Sequence, residues 1–170
     1  MKRLLCVFIV GFLLQSVAIS KEIPRFWPLQ IGSSLYMRLE LALTEKQREI
    51  GLMNRTSMPS DGGMIFVFEK PKPMAFWMKN TLIPLDILFL DANGKVVAVH
   101  RMEVERPRRE NEPEQIYDMS LTPYPSGAPA QFAIELNAGQ VAKCGIKVGQ
   151  TVDLRKGALL ELRGASSGKK

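Results

Sequence analysis

The chain has 170 residues, of which 46% are hydrophobic and 24% are charged, and its formal net charge is +6. This length predicts one domain, and the composition is that of an ordinary globular protein. The same values exclude a disordered polymer, a collagen-like fibre and a protein with several membrane spans. Two cysteines are too few for a disulfide framework.

The first twenty residues have the pattern of a secretory signal peptide. Lys2 and Arg3 precede the apolar run LLCVFIVGFLL, and Ala18 and Ser20 are the small residues that a signal peptidase reads. The run is short for the roughly 20 residues that a membrane span needs. We therefore expect a periplasmic or secreted protein, attached to a membrane only if this segment stays uncleaved. Cleavage would leave a net charge of +4, which is too mild to indicate nucleic-acid binding.

The composition divides the rest of the chain into three parts. Residues 21–34 contain two prolines and a glycine and predict an extended lead-in. Residues 35–157 carry the apolar patterns of a folded domain. Residues 158–170 end in glycine, serine and lysine, so we expect a flexible basic tail there.

The folded part begins with a strand and a helix. Apolar residues alternate with polar ones over 35–43, which predicts a half-buried strand. Thr44 and Gln47 form a capping box, in which each residue satisfies a backbone N–H of the other. A short helix should follow and end near Met53, with Ile50 and Met53 on its inner face.

The middle of the chain predicts four more strands. A continuous apolar run at 64–68 suits a buried strand, and a second candidate follows two prolines at 74–79. Residues 85–90 and 95–100 flank an Asn-Gly turn, which is the strongest short-range signal of a β-hairpin.

The last third mixes loop and strand signals. Residues 103–127 are rich in proline and arginine and predict a long surface loop. Strands are expected at 130–136 and 151–154, with a short helical segment between them that ends near Cys144. Around seven short strands favour a mainly β fold, a compact single-domain β-barrel or sandwich-like fold with one or two short helices.

Several strings of this sequence resemble the DUF192 family. The most specific is FWMKNT at 76–81 followed by PLD at 84–86, and GLM at 51–53 also fits. The resemblance covers roughly residues 35–154. It implies a β-rich domain that is common in bacteria and archaea and often secreted. It implies no established reaction, cofactor or catalytic residue.

Polar residues concentrate near the FWMKNT string. In a strand, Trp77 and Lys79 would share one face, where an aromatic ring and a cation can hold a sugar, an anion or a peptide carboxylate. Asn80 and Thr81 would add hydrogen-bonding groups at the strand end, close to Asp86. In the structural alternative, Trp77 lies in the core, Asn80 and Thr81 form a turn, and Asp86 accepts an N–H or pairs with Lys79.

Two arginines could form an anion site. Arg48 and Arg55 lie close to two helical turns apart, so their guanidinium groups could point the same way and bind a carboxylate or phosphate. In the alternative, Arg48 pairs with Glu45 or with an acidic strand residue.

A catalytic site has weaker support in the sequence. Strand alternation places Glu135 outward or toward a polar barrel mouth, and Glu135 with Asp86 could form a paired-carboxylate acid/base site. His100 and Cys144 are too few for a zinc site, and the methionines suit core packing better than copper. We therefore expect no metal and no cofactor.

The sequence favours a non-enzymatic binding domain for a small polar or anionic ligand or a partner segment. Its partner would be an unknown small ligand or an envelope protein, and not nucleic acid. Two alternatives stay open: an envelope-acting hydrolase that uses Asp86 and Glu135, and an accessory interaction domain whose loop 103–127 binds an acidic partner. The expected ligand-binding residues are Arg48, Arg55, Trp77, Lys79, Asn80, Thr81 and Asp86.

Overall fold

The computed structural model describes residues 22–33 and 35–167, and the predicted signal peptide over 1–20 lies outside them. In chain order the elements are β1 (Phe26–Ile31), β2 (Leu35–Ala42), α1 (Glu45–Ile50), β3 (Gly62–Lys72), β4 (Ala75–Phe76), β5 (Leu85–Leu90), β6 (Val96–Met102), α2 (Glu114–Ser120), β7 (Tyr124–Pro125), β8 (Ala130–Asn137), α3 (Gln140–Cys144) and α4 (Lys156–Ser167). No helix of the described residues has the length and apolarity needed to cross a membrane.

Six of the strands form one mixed sheet. Its order is β1-β2-β3-β8-β5-β6, with β2 and β3 parallel and all other neighbours antiparallel. Strands β4 and β7 form a separate two-stranded sheet. The large sheet is open, because β1 and β6 each have a neighbour on one side only. The predicted mainly β, sandwich-like class is therefore confirmed, whereas the barrel alternative is not.

Both faces of the large sheet are covered. One face packs Leu88, Ile134 and Leu136 against the chain segment that ends in α4. The other face packs Ile87 and Ala133 with residues from the small sheet and its flanking turns. All six residues of β5 are buried for this reason. The central strands are thus apolar on both sides, as strands of a covered sheet must be.

The local sequence signals are confirmed. Thr44 Oγ1 accepts from the Gln47 N–H at 3.2 Å, and the Thr44 N–H donates back to Gln47 Oε1 at 2.9 Å. The Asn-Gly turn joins β5 to β6. Helix α1, however, ends at Ile50, because Gly51 turns with φ 49°. Ile50 is consequently exposed, contrary to prediction, and Leu52 is the buried residue.

The two ends of the described chain differ from the sequence analysis. The expected lead-in contains β1, an edge strand in which Trp27, Leu29 and Ile31 point into the core. Pro28 is tolerated there because an edge strand has free N–H positions. The expected flexible tail contains most of α4, which buries Leu159 and Leu162 against the sheet.

Three shorter segments also differ. Only Ala75–Phe76 of the predicted strand at 74–79 is extended in a sheet. The predicted loop at 103–127 contains α2 and β7. The expected last strand contributes a single bridge, between Thr151 and Lys95. In each case a contact with a distant part of the chain decides the local conformation.

Helix α4 gives a first prediction. Leu159 is fully buried, so Leu159→Ala should lower the free energy of unfolding by about 2–5 kcal/mol. Leu160 is only partly buried in the same helix, so Leu160→Ala is the matched control and should lower it by less. Urea denaturation measures both. Equal and small losses would mean that α4 does not contribute to the core.

Candidate functional site

A cleft of about 780 Å³ opens above the sheet face that the small sheet covers. We call it the Glu135 cleft. It lies between α1, β3, β4 and the turn that follows β4, and Glu135 of β8 lies at its floor. The side chains that line it include Phe66, Phe68, Phe76, Trp77, Asn80 and Glu135.

The floor of the cleft is a buried carboxyl group. Glu135 is only 5% exposed, and its direct neighbours across the sheet are Met64 on β3 and Ile87 on β5. No side chain or backbone group of residues 22–33 and 35–167 makes a hydrogen bond with its carboxyl. Burial raises the pKa of Glu135 to about 8, an effect that the charge of Arg55 opposes. The carboxyl is therefore mostly protonated at neutral pH.

The sequence analysis placed Glu135 either outward or toward a polar barrel mouth, whereas in the structure it lies at the floor of the cleft in an open sheet. The alternation of side chains along β8 did assign Glu135 to the correct face of the sheet, the face that also carries Ala133. That face, however, is covered by the small sheet and the turns beside it.

An aromatic cluster forms one wall. The Phe76 ring packs edge-on against Phe66 at 4.9 Å, Phe89 at 5.4 Å and Phe68 at 6.5 Å between ring centroids. Phe76 belongs to β4, so these contacts attach the small sheet to β3 and β5. They also leave flat apolar surface beside Glu135.

The mouth of the cleft is a tight turn. Met78 is buried, and its carbonyl accepts the Thr81 N–H at 3.1 Å, which reverses the chain. Trp77 and Asn80 are consequently exposed at the cleft, with half of the Trp77 side chain accessible. Asn80 has φ 53°, a left-handed conformation that asparagine tolerates better than most residues. Its carboxamide makes no hydrogen bond within the described part of the chain.

Lys79 lines the cleft but is paired with carboxylates of the protein. Its Nζ lies 2.7 Å from a carboxylate oxygen of Glu114 and 2.7 Å from one of Asp118, so it ties the turn to α2. The hydrogen bonds that Lys79 donates to Asp118 and Glu114 raise its pKa. Thr81 is buried, and its hydroxyl donates to the Lys79 carbonyl at 3.3 Å. Trp77 and Lys79 therefore do not form the shared binding face expected of a strand.

The two arginines do not come together. Arg48 lines the cleft, but its Nη1 donates to the carbonyls of Leu43 at 2.6 Å and Val67 at 3.2 Å. Arg55 lies outside the cleft and forms a bidentate pair with Glu40, with Nη2–Oε2 at 2.9 Å. The shared anion site required a helix through both positions, and α1 ends between them.

Asp86 lies on the opposite face of the sheet from Glu135. Leu136 is the cross-strand partner of Asp86, whereas Ile87 is that of Glu135, and side chains alternate along a strand. The buried Asp86 carboxylate accepts the Val141 N–H at 2.9 Å in α3, which is the structural alternative given above. The paired-carboxylate site is therefore not assembled.

The arginine-rich loop pairs with its own acids. Arg106 forms a bidentate contact with Glu112, at 2.6 and 2.7 Å, and Glu103 at the start of the loop lies 2.7 Å from Arg101 of β6. Hydrogen bonds from Arg106 and the Arg109 N–H lower the pKa of Glu112 to about 2. This internal pairing leaves less positive charge for an acidic partner than the sequence suggested.

Other parts of the described chain offer less chemistry. A second cleft of about 780 Å³ lies between β1 and residues 144–155. Its Cys144 thiol donates to the Val141 carbonyl at 3.2 Å, so that group is already bonded. Within residues 22–33 and 35–167, no three His, Cys, Asp or Glu side chains are grouped as metal ligands.

Comparison with known proteins places the domain in a family. The DUF192 model, whose description is "Uncharacterized ACR", matches residues 29–154. The chain belongs to the DUF192 family. No curated protein matches this DUF192 chain.

Two crystal structures resemble this DUF192 domain. A protein of unknown function from Novosphingobium aromaticivorans is 32% identical, with a TM-score of 0.61 over 75% of this chain and 84% of its own. A "putative transcription regulator" from Sinorhizobium meliloti is also 32% identical, with a TM-score of 0.60 over 78% of this chain and 97% of its own. These relatives support the family and the fold.

The stability of a Glu135 variant tests whether the carboxyl at the floor of the cleft has a hydrogen-bond partner in the protein. Glu135→Leu places an apolar side chain beside Met64 and Ile87, so we expect the free energy of unfolding at pH 7 to rise by about 1–3 kcal/mol. Gln131→Leu is the matched control. Gln131 is buried on the same face of β8, but its Nε2 donates to the carbonyls of Phe68 and Glu69. The free energy of unfolding of Gln131→Leu should fall by about 1–3 kcal/mol, because the substitution leaves these carbonyls without their donor. Guanidinium denaturation that shows equal losses in both variants would contradict an unpartnered Glu135.

The pH dependence of stability tests the raised pKa. The ordinary pKa of Glu135 is 4.5 and the folded value is about 8, so between them the folded state holds one more proton than the unfolded state. Stability is therefore full below pH 4.5 and falls as the pH rises to about 8, by at most about 1.4 kcal/mol per pH unit. The glutamine of Glu135→Gln does not titrate, so the stability of this variant lacks the decline. The free energy of unfolding of Glu135→Gln minus that of the wild type should therefore increase from pH 4.5 to about 8 in denaturation experiments. Parallel pH curves would show that the pKa is not raised.

Proposed function

We propose that this DUF192 protein is an exported, non-enzymatic binding protein that holds a small molecule in the Glu135 cleft. One observation carries the proposal: a buried carboxyl at the floor of an open cleft has no hydrogen-bond partner among the described residues. The open cleft leaves the carboxyl oxygens accessible to water, although the side chain is only 5% exposed. A ligand that enters the cleft would replace that water and bond the carboxyl directly.

The size and lining of the cleft support a small ligand. Its volume of about 780 Å³ falls within the roughly 300–1,000 Å³ of typical ligand sites. Such sites combine apolar walls with a few polar groups that orient the ligand. Here Phe66, Phe68 and Phe76 supply apolar surface, and Glu135 and Asn80 are polar groups without a partner in the protein, beside charged side chains of α1 and the flanking turns.

Five of the seven residues expected from the sequence line the cleft. Trp77 and Asn80 are exposed there, and Arg48 is held as part of its wall. Lys79 and Thr81 also line it and shape the turn at its mouth. Asp86 and Arg55 have structural partners elsewhere. A hydrolase is disfavoured because Asp86 and Glu135 lie on opposite faces of the sheet.

Export rests on the signal-peptide pattern in residues 1–20. Lys2 and Arg3, the apolar run and the small residues at Ala18 and Ser20 together favour a periplasmic or secreted protein. The ligand would then be a molecule of the envelope or the surrounding medium.

A variant that fills the cleft tests the proposal. Ala75 lines the cleft and is exposed, so Ala75→Trp should fill it without disturbing the core. Ala165→Trp places the same side chain on an exposed position of α4 and is the control. Thermal unfolding is measured with glucose, N-acetylglucosamine, succinate and choline as probes.

At a concentration one hundred times its Kd, a ligand adds about 2.7 kcal/mol of stability, which raises Tm by several degrees. At least one probe should produce this shift in the wild type and in Ala165→Trp, but not in Ala75→Trp. Either of two results would overturn the proposed site: no Tm shift with any probe, or a Tm shift in Ala75→Trp equal to that of the wild type.

A further inference from the structure

We infer that the ligand of the Glu135 cleft is an uncharged, polyhydroxylated ring in the chemical class of a mono- or disaccharide, held by hydrogen bonds to Asn80 and Glu135. This inference rests on the proposed binding function and names its ligand class. It follows from the partners of the charged side chains around the cleft and from the groups that have no partner.

The cations of the cleft wall are either bonded within the protein or, like Lys46 and Lys72, exposed to solvent, where an ion pair with a ligand contributes little. The Arg48 guanidinium donates to two backbone carbonyls, and Lys79 contacts the carboxylates of Glu114 and Asp118. An anion would have to break these contacts to gain its own. The anionic part of the sequence-based expectation is thereby disfavoured.

A cationic ligand meets cations that are already in place. Arg48 lies 5.0 Å from the centroid of the Phe68 ring, and the Lys72 ammonium lies 5.4 Å from it. Aromatic rings bind cations through their faces, and here two cations of the protein use the Phe68 face. A further cation would be repelled by both.

The remaining charged residues that line the cleft do not select either sign. They are Glu45, Lys46, Glu49 and Glu114, and Glu114 is paired with Lys79. Both signs are present on α1, so the mouth has no strong field of one sign. Selection therefore falls to the uncharged groups.

An uncharged ring with hydroxyl groups fits what is left. The exposed half of Trp77 offers a flat apolar surface against which the C–H face of a sugar ring can pack. The Asn80 carboxamide provides two donors and an acceptor. The Glu135 carboxyl, neutral at pH 7 because burial raises its pKa to about 8, provides one donor and an acceptor. Sugar hydroxyls both donate and accept, so they can satisfy all of these groups.

The backbone at Asn80 offers a matched pair of variants. Asn80 and Asn54 both have positive φ, 53° and 62°, and the Asn54 N–H donates to the Asn80 carbonyl at 2.7 Å. Glycine adopts this conformation readily, so both Asn80→Gly and Asn54→Gly should fold. Only Asn80 lines the cleft, so only Asn80→Gly removes a ligand contact.

The test is calorimetric titration of the full chain with glucose, N-acetylglucosamine and cellobiose, and separately with succinate and with choline. We expect at least one sugar to bind and neither ion to do so. Asn80→Gly should weaken sugar binding about tenfold, while Asn54→Gly leaves it unchanged. Glu135→Gln keeps a donor and an acceptor and should stay within about threefold, whereas Glu135→Leu abolishes binding.

The outcomes separate this inference from the proposed function. Binding of succinate or choline, lost in Ala75→Trp, overturns the sugar assignment and leaves the binding function standing. Absence of binding by every probe overturns both. Sugar binding that Asn80→Gly leaves intact, or that Glu135→Gln abolishes, overturns the assigned contacts, since the second result would require an ionised carboxylate.

Discussion

The structure depends on covering both faces of one open sheet. The central strands β3, β8 and β5 carry apolar side chains on both sides, and helices, turns and the small sheet bury them. Such strands have no solvent-facing side on which a charged residue could lie. Glu135 is the exception in β8, and it is accommodated because the layer above it does not close completely. The Glu135 cleft is the gap in that layer.

The segment from Phe76 to Thr81 builds the edge of this gap. Phe76 and Met78 anchor it in the core, and Thr81 is buried behind them. Lys79 fastens it to α2, whose two carboxylates lie within one loop that sequence alone predicts to be irregular. Because these contacts fix the turn, Trp77 and Asn80 are presented outward in a defined geometry. Buried or paired side chains thus alternate with exposed ones within six residues.

What the sequence predicted well was encoded within a few neighbouring residues. The alternation in β2, the capping box at Thr44 and the Asn-Gly hairpin each depend on contacts of short range. The family resemblance gave the β-rich class but no site chemistry, because its strings mark core and turn residues as much as exposed ones.

What the sequence missed depends on distant partners. Glu40 lies 15 residues before Arg55, and Glu114 lies 35 residues after Lys79, so neither pairing follows from a local pattern. The burial of Glu135 requires the small sheet, whose two strands are far apart in the chain. The one local signal was a glutamate within the apolar run of β8 from Phe132 to Leu136, which alternation alone placed either outward or toward a polar mouth.

The burial of Glu135 also bears on why such a residue stands there. A domain of this size is typically stable by only about 5–15 kcal/mol, and a carboxyl that is mostly removed from water without a protein partner lowers that stability. Cys144 is the one cysteine among the described residues, so no disulfide within them offsets that loss. Leucine at this position would relieve the loss and fit between Met64 and Ile87. Proteins hold destabilising groups of this kind mainly at sites that use them, and the open cleft above the carboxyl is where that use would occur.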